Sequence, residues 1–140
     1  MRLTRYTDYA IRVLLFLAPR TELTTVGEIA DFYKISQNHL VKIVQDLVKY
    51  EYIESFKGRG GGMRLSKAPD KINLGEFVKR FEPDMRLIDC IGCKIAGSCS
   101  LPLPLHKALA AFVKELNQYS LQDIIDSSEN LSTIFGNGAK

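Results

Sequence analysis

Apolar positions recur at a helical spacing almost from the first residue. Tyr6, Tyr9, Ala10, Val13, Leu14 and Leu17 fall at i, i+3, i+4 and i+7 intervals, which predicts an amphipathic helix over 5–18. Thr4 stands where an N-cap belongs, and Pro19-Arg20 marks the exit. A second helix fits 26–33, with Val26, Ile29, Ala30 and Tyr33 on one face. Thr24 or Thr25 can cap it, and Glu28 suits its positive end. Lys34-Ile35-Ser36 then reads as a turn, with Ser36 as the cap of a third helix over 37–49. Leu40, Ile43, Val44, Leu47 and Val48 are its apolar positions. Two short helices across a three-residue turn make a helix-turn-helix.

The pattern then changes. Tyr52-Ile53-Glu54-Ser55-Phe56, the stretch Lys57-Gly58-Arg59-Gly60-Gly61-Gly62, and Met63-Arg64-Leu65 read as strand, glycine loop and strand, a β-hairpin wing. Helical spacing returns at 74–81 and is closed by Glu82-Pro83. Residues 84–104 are irregular. From Leu105 a long helix follows, with Leu105, Leu109, Phe112, Val113 and Leu116 on one stripe. Leu121 to Ile125 continues it, with Ser120 as a cap. The predicted fold is mainly α: a winged helix-turn-helix with a small wing and a long C-terminal helix. Residues 1–67 form the DNA-binding region, 68–126 the cysteine loop and long helix, and 127–140 a flexible tail that frays.

Charge sharpens this picture. The net charge is only +3, but residues 1–67 hold eleven Lys/Arg against seven Asp/Glu, while 68–140 hold eight against nine. The basic excess lies where DNA would bind. Apolar residues make up 46% of the chain, ordinary for a globular protein. The longest apolar run, Val13 to Ala18, is too short for a bilayer and nothing resembles a signal peptide, so the expected location is the cytoplasm with no membrane partner.

A helix that enters the major groove needs short polar side chains at its exposed N-terminal end. Ser36, Gln37, Asn38 and His39 lie at that end, and Lys42 one turn on. Gln and Asn can pair bidentately with an adenine edge, while Ser and Lys serve bases or phosphates. Taken singly, each also fits a solvated first turn. In the wing, Lys57 and Arg59 put two cations at the tip, and Arg64 follows on the return strand. An arginine on a thin wing can enter a narrow minor groove. The glycine string is no phosphate-binding loop, because no Gly-Lys-Ser/Thr ending and no helix follow it.

Cys90, Cys93 and Cys99 are the only cysteines, three within ten residues. An odd, clustered set does not suit a secreted disulfide scaffold. Thiolates are soft donors that favour iron–sulfur clusters, zinc or copper(I). A four-cysteine site within one chain is excluded, so a fourth ligand comes from another side chain, water or a second subunit. Three free, redox-reactive thiols are the alternative.

The opening Met-Arg-Leu-Thr-x-x-Thr-Asp-Tyr-Ala-x-Arg, the helix-turn-helix, the Lys57–Leu65 wing and the three-cysteine loop come in an order that resembles bacterial regulators of the NsrR/IscR type. The stretch Phe112-x-x-Glu115-Leu116-x-x-Tyr119-x-Leu121-x-Asp123 is similar to the nitric-oxide-sensing NsrR branch. The resemblance covers roughly 1–126. It implies a homodimer joined through the long helix and an iron–sulfur cluster on Cys90, Cys93 and Cys99. In NsrR-like proteins the cluster is 4Fe–4S, and an aspartate of the partner subunit can be the fourth ligand; Asp8 occupies that position. By spacing alone, Asp8 pairs with Arg12 or Arg5. The IscR-like branch uses a histidine instead, and His106 stands further from Cys99 than that role expects. The gap between Cys90 and Cys93 is shorter than is usual in these regulators.

The leading expectation is therefore a repressor, not an enzyme, that binds a double-stranded operator and is switched by nitric oxide at its cluster. The alternatives are the same fold with a 2Fe–2S cluster that reports redox state or iron–sulfur supply, a constitutive DNA-binding protein with structural zinc, and a thiol-redox enzyme using Cys90-x-x-Cys93.

Overall fold

The helices begin where the sequence supplies caps. A computed structural model describes residues 1–136. The N-terminal unit is α1 (Arg5–Leu17), α2 (Val26–Tyr33), α3 (Gln37–Lys49), β1 (Ile53–Phe56) and β2 (Gly62–Leu65). Thr4 caps α1 by accepting from the Thr7 amide. Thr25 and Glu28 form a capping box on α2, and such a cap is worth about 1 kcal/mol. Lys34 takes the left-handed conformation (φ 56°) that ends α2 and turns the chain into α3. Ser36 sits at the N-cap position of α3, but its side chain makes no capping bond.

α1, α2 and α3 pack their apolar faces together. Val13, Ile29, Ile43 and Leu47 are fully excluded from solvent, and each such side chain contributes about 1.5–3 kcal/mol by burial. β1 and β2 pair antiparallel, from Ile53 opposite Leu65 to Phe56 opposite Gly62. A bridge between Thr24 and Met63 ties this hairpin to the approach to α2. Because the hairpin base is anchored there, Ile53 and Met63 point into the core while the tip projects.

After a short 3-10 turn (Pro69–Lys71) come α4 (Leu74–Phe81), α5 (Pro102–Leu116), α6 (Leu121–Ser127) and α7 (Leu131–Ile134). Asn73 caps α4, and a Ser120–Asp123 box caps α6. Bonded to Ser120, the Asp123 carboxyl lies below the usual carboxylate range. The long helix starts three residues before Leu105 because Pro102 and Pro104 fall in its first turn, where missing amides cost nothing. No residue of α5 is fully buried.

Within the stretch expected as a flexible tail, Leu131–Ile134 form α7 and Phe135 is only 7% exposed. Its ring lies 5.2 Å from Phe16 and 5.4 Å from Phe32, both edge-on, and its carbonyl accepts from Arg20 at 2.7 Å. One aromatic side chain thus docks a polar segment onto α1 and α2. Residues 137–140 of the expected tail lie outside the described residues.

Candidate nucleic-acid interface and cysteine loop

α3 turns Leu40, Ile43, Val44 and Leu47 inward, which leaves Ser36, Gln37, Asn38, His39 and Lys42 exposed on one end of the helix. Gln37 lies beside Gly27 of α2. The His39 ring meets Tyr9 of α1 edge-on at 5.9 Å. The first turn of α3 has neither a side-chain cap nor an acidic residue, a setting that favours anions at the positive end of the helix.

The wing tip is a five-residue loop, 57–61, between paired Phe56 and Gly62. Gly58 adopts φ 91°, a left-handed value that suits glycine. Gly61 is required by space: a Cβ there would lie 2.3 Å from the Phe56 carbonyl oxygen. Lys57 and Arg59 are exposed, and among the described residues neither has a hydrogen-bonding or ionic partner. Arg64 is placed differently. Its Nε donates to Glu54 across the hairpin at 3.0 Å, and its guanidinium lies over Phe56. The spacing that suggested Arg64 as a DNA contact gave no sign of this cross-strand pair.

Asp8 and Arg12 form the i,i+4 pair, with two bonds at 2.9 and 3.0 Å and both side chains 42% exposed. The Arg12 guanidinium also lies against the Tyr9 and Tyr33 rings. The Tyr33 hydroxyl donates to the Arg12 carbonyl, and burial pushes its pKa up to about 12. Asp8, Arg12, Tyr9 and His39 therefore make one continuous run of contacts from α1 to the N-terminal end of α3.

Cys90 and Cys93 are exposed, Cys99 is half-buried, and all three are free thiols. Cys90 and Cys93 open successive turns, with the Cys93 amide donating to the Cys90 carbonyl and the Ala96 amide to the Cys93 carbonyl, and Cys99 follows them. Among the described residues, no three His, Cys, Asp or Glu side chains are grouped so as to hold a metal ion. In donor chemistry the loop fits an iron–sulfur cluster: three accessible thiols, none spent in a disulfide, one short of four ligands. At the loop entrance Arg86 binds Asp84 and holds its carboxyl at about 2. Beside it, an apolar groove of about 620 Å³ runs between α1, α4, α5 and α6, with Leu3, Ile11, Leu15, Leu109, Phe112 and Ile124 in its walls. No helix is long and apolar enough to cross a membrane among the described residues.

Sequence reasoning missed two contacts that bear on this site. The Glu82 carboxylate accepts from the Thr4 amide at 2.9 Å and from the Thr4 and Thr7 hydroxyls. The Tyr6 hydroxyl donates to Asp46 and lies 3.3 Å from the Lys42 carbonyl of α3. Burial, then Asp46, raises the Tyr6 pKa. Both contacts link residues far apart in the chain, and no local pattern signals them.

Comparison with known proteins agrees with this architecture. The family model described as Rrf2, iron-dependent transcriptional regulator, matches residues 3–127. The chain is 45% identical over 138 residues to the HTH-type transcriptional regulator NsrR of Bacillus licheniformis, covering 94% of this chain and 96% of that protein. It is 43% identical over 141 residues to the NsrR of Shouchella clausii, covering 96% and 95%. Its fold is similar to that of the oxidized form of Staphylococcus aureus CymR, with a TM-score of 0.75 at 19% identity over 92% of this chain and 99% of that one. Relatives named as regulators set aside the thiol-redox enzyme. With a family match across 3–127 and relatives above 40% identity over almost its whole length, this chain belongs to the Rrf2 family of transcriptional regulators.

Proposed function

We propose that the protein is a cytoplasmic homodimeric repressor that binds an operator through α3 and the wing, and whose affinity depends on a 4Fe–4S cluster sensitive to nitric oxide. The observation that carries this reading is one chain that combines an exposed polar recognition helix and unpaired wing cations with three free thiols in one loop.

Gln37 and Asn38 read base edges, while Ser36, His39 and Lys42 position the helix on bases and phosphates. Arg59 enters the minor groove, Lys57 binds phosphate, and Arg64 serves DNA after leaving Glu54. The half-buried stripe on α5 and the groove beside it support a dimer, which sets two recognition helices at a fixed spacing. Cys90, Cys93 and Cys99 would hold the cluster, with Asp8 of the partner subunit as its fourth ligand. When bound, such a cluster supplies iron that nitric oxide and oxidants attack.

The other steps belong to this chain's own residues. Asp8 binds Arg12 through both oxygens, so ligation by Asp8 would compete with that pair. A weakened pair would loosen the guanidinium beside Tyr9 and change the support under His39. Small changes of tilt matter, because both half-sites must be met at once.

The test is anaerobic purification with iron and sulfide counts and a visible spectrum, alongside Cys93→Ser. A coloured protein with about four irons per chain, lost in Cys93→Ser, is the expected result. Two irons per chain would favour the 2Fe–2S alternative, and full zinc occupancy would overturn the cluster. Separately, Gln37→Ala and Asn38→Ala should relax base preference more than they weaken non-specific binding.

A further inference from the structure

We infer that Glu82 is a positioning residue that transmits the state of the cysteine loop to the recognition helix. The inference rests on the regulated DNA binding proposed above, and it names the physical link within one chain.

Glu82 is the C-cap residue of α4 and immediately precedes Pro83, where the loop that carries the cysteines departs. Its carboxylate does not face solvent alone. It accepts from the Thr4 amide at 2.9 Å, from the Thr4 hydroxyl at 3.2 Å and from the Thr7 hydroxyl. Thr7 is wholly buried. A negative group at the start of α1 also meets the positive end of that helix. Glu82 thus acts as a second cap on α1, supplied from 75 or more residues along the chain.

The neighbouring side chain reinforces the grip. Phe81 is buried, and its ring stacks on Tyr6 with centroids 6.3 Å apart. Tyr6 then reaches α3 through its hydroxyl, at Asp46 and the Lys42 carbonyl. The last turn of α4 therefore holds Thr4, Tyr6 and Thr7, and Tyr6 holds the middle of the recognition helix. Hydrogen bonds to a carboxylate are stronger than neutral ones and depend sharply on position. A movement of the loop that pulls residue 82 must either break these bonds or carry the start of α1 with it. Because Tyr6 lies between Thr4 and Thr7, α3 feels that displacement.

The test compares wild type, Glu82→Ala, Glu82→Gln and Thr7→Val as full-length protein. The first readout is amide hydrogen exchange in the cluster-free protein. Glu82→Ala should speed exchange at Thr7 and Asp8 of α1 and also at residues 43–47 of α3. Faster exchange confined to α1 would overturn the coupling. The second readout is the ratio of operator affinities between cluster-loaded and cluster-free protein. Where wild type shows a large ratio, it should fall at least tenfold in Glu82→Ala and Thr7→Val, with Glu82→Gln between, since its amide oxygen still accepts. A purely structural cap would lower both affinities together and leave the ratio unchanged, which would refute the proposal. A wild-type ratio near one would instead refute the cluster switch, and hydrogen exchange would still decide the link.

Discussion

Arg59→Ala removes an exposed cation that has no hydrogen-bonding or ionic partner among the described residues. Each lost contact with DNA charge lowers the slope of log affinity against log salt by about 0.9. A dimer carries two wings, so the slope falls by about 1.8. Between 50 and 200 mM salt, the wild-type protein should lose about 12-fold more affinity than the variant, since a fourfold salt change raised to about 1.8 gives that factor. The loss of affinity itself should be largest at A·T-rich positions, where the minor groove is narrow. Arg64→Ala is the comparison, a wing cation that must first leave an ion pair to reach DNA. Arg64 already spends its charge on Glu54 at 3.0 Å and lies over Phe56, so its removal should change the slope less. The assay is fluorescence anisotropy on a labelled operator duplex across a salt series. Equal slopes for wild type and Arg59→Ala would show that the wing tip does not meet DNA charge. A larger change for Arg64→Ala would invert the assignment along the hairpin.

Two further outcomes follow from side chains away from the reading surface. Phe135→Ala should destabilise the protein by about 3 kcal/mol, the low end for a buried Phe because a terminal segment can detach. This corresponds to a fall in Tm of about 12 °C by scanning calorimetry; a fall below about 4 °C would mean that the docked chain end contributes little. Asp84, held at about 2 by Arg86, has a depressed carboxyl, so its ion pair is complete above the ordinary carboxylate value of 3.8 and is lost as the pH falls toward 2. An NMR titration should place its midpoint there and return it to the ordinary range in Arg86→Ala, whereas a wild-type midpoint near 4 would contradict the pair.

The N-terminal unit was largely legible because its signals are local. Apolar residues every three or four positions fixed α1, α2 and α3 to within a residue, and Thr4, Thr25 and Ser120 cap as their positions suggest. Strand alternation around four glycines marked the wing. The failures have a common cause. Phe135 is one aromatic residue in a polar stretch with no period, so its docking on Phe16 and Phe32 could be seen only in three dimensions. Ser36 has the chemistry of a cap yet leaves it unused, because propensity does not fix a rotamer. The Glu82 bonds to Thr4 and Thr7 span the fold, and no neighbour in sequence announces them. In the candidate site, the i,i+4 spacing announced the Asp8–Arg12 pair, but the cross-strand hold of Glu54 on Arg64 was not legible, because it depends on the hairpin register. The cysteines stand where their spacing put them, in an irregular loop, and their use depends on a group that sequence periodicity does not describe.

The central claim is that one and the same protein binds its operator tightly or weakly according to the state of its cysteine loop. The direct measurement is operator affinity of anaerobically purified protein before and after treatment with nitric oxide, with the visible spectrum followed in the same sample. The account predicts that affinity falls at least tenfold as the cluster absorption disappears, and that Cys93→Ser binds weakly from the start. Unchanged affinity on loss of the absorption, or full operator binding by colourless, iron-free protein, would contradict it.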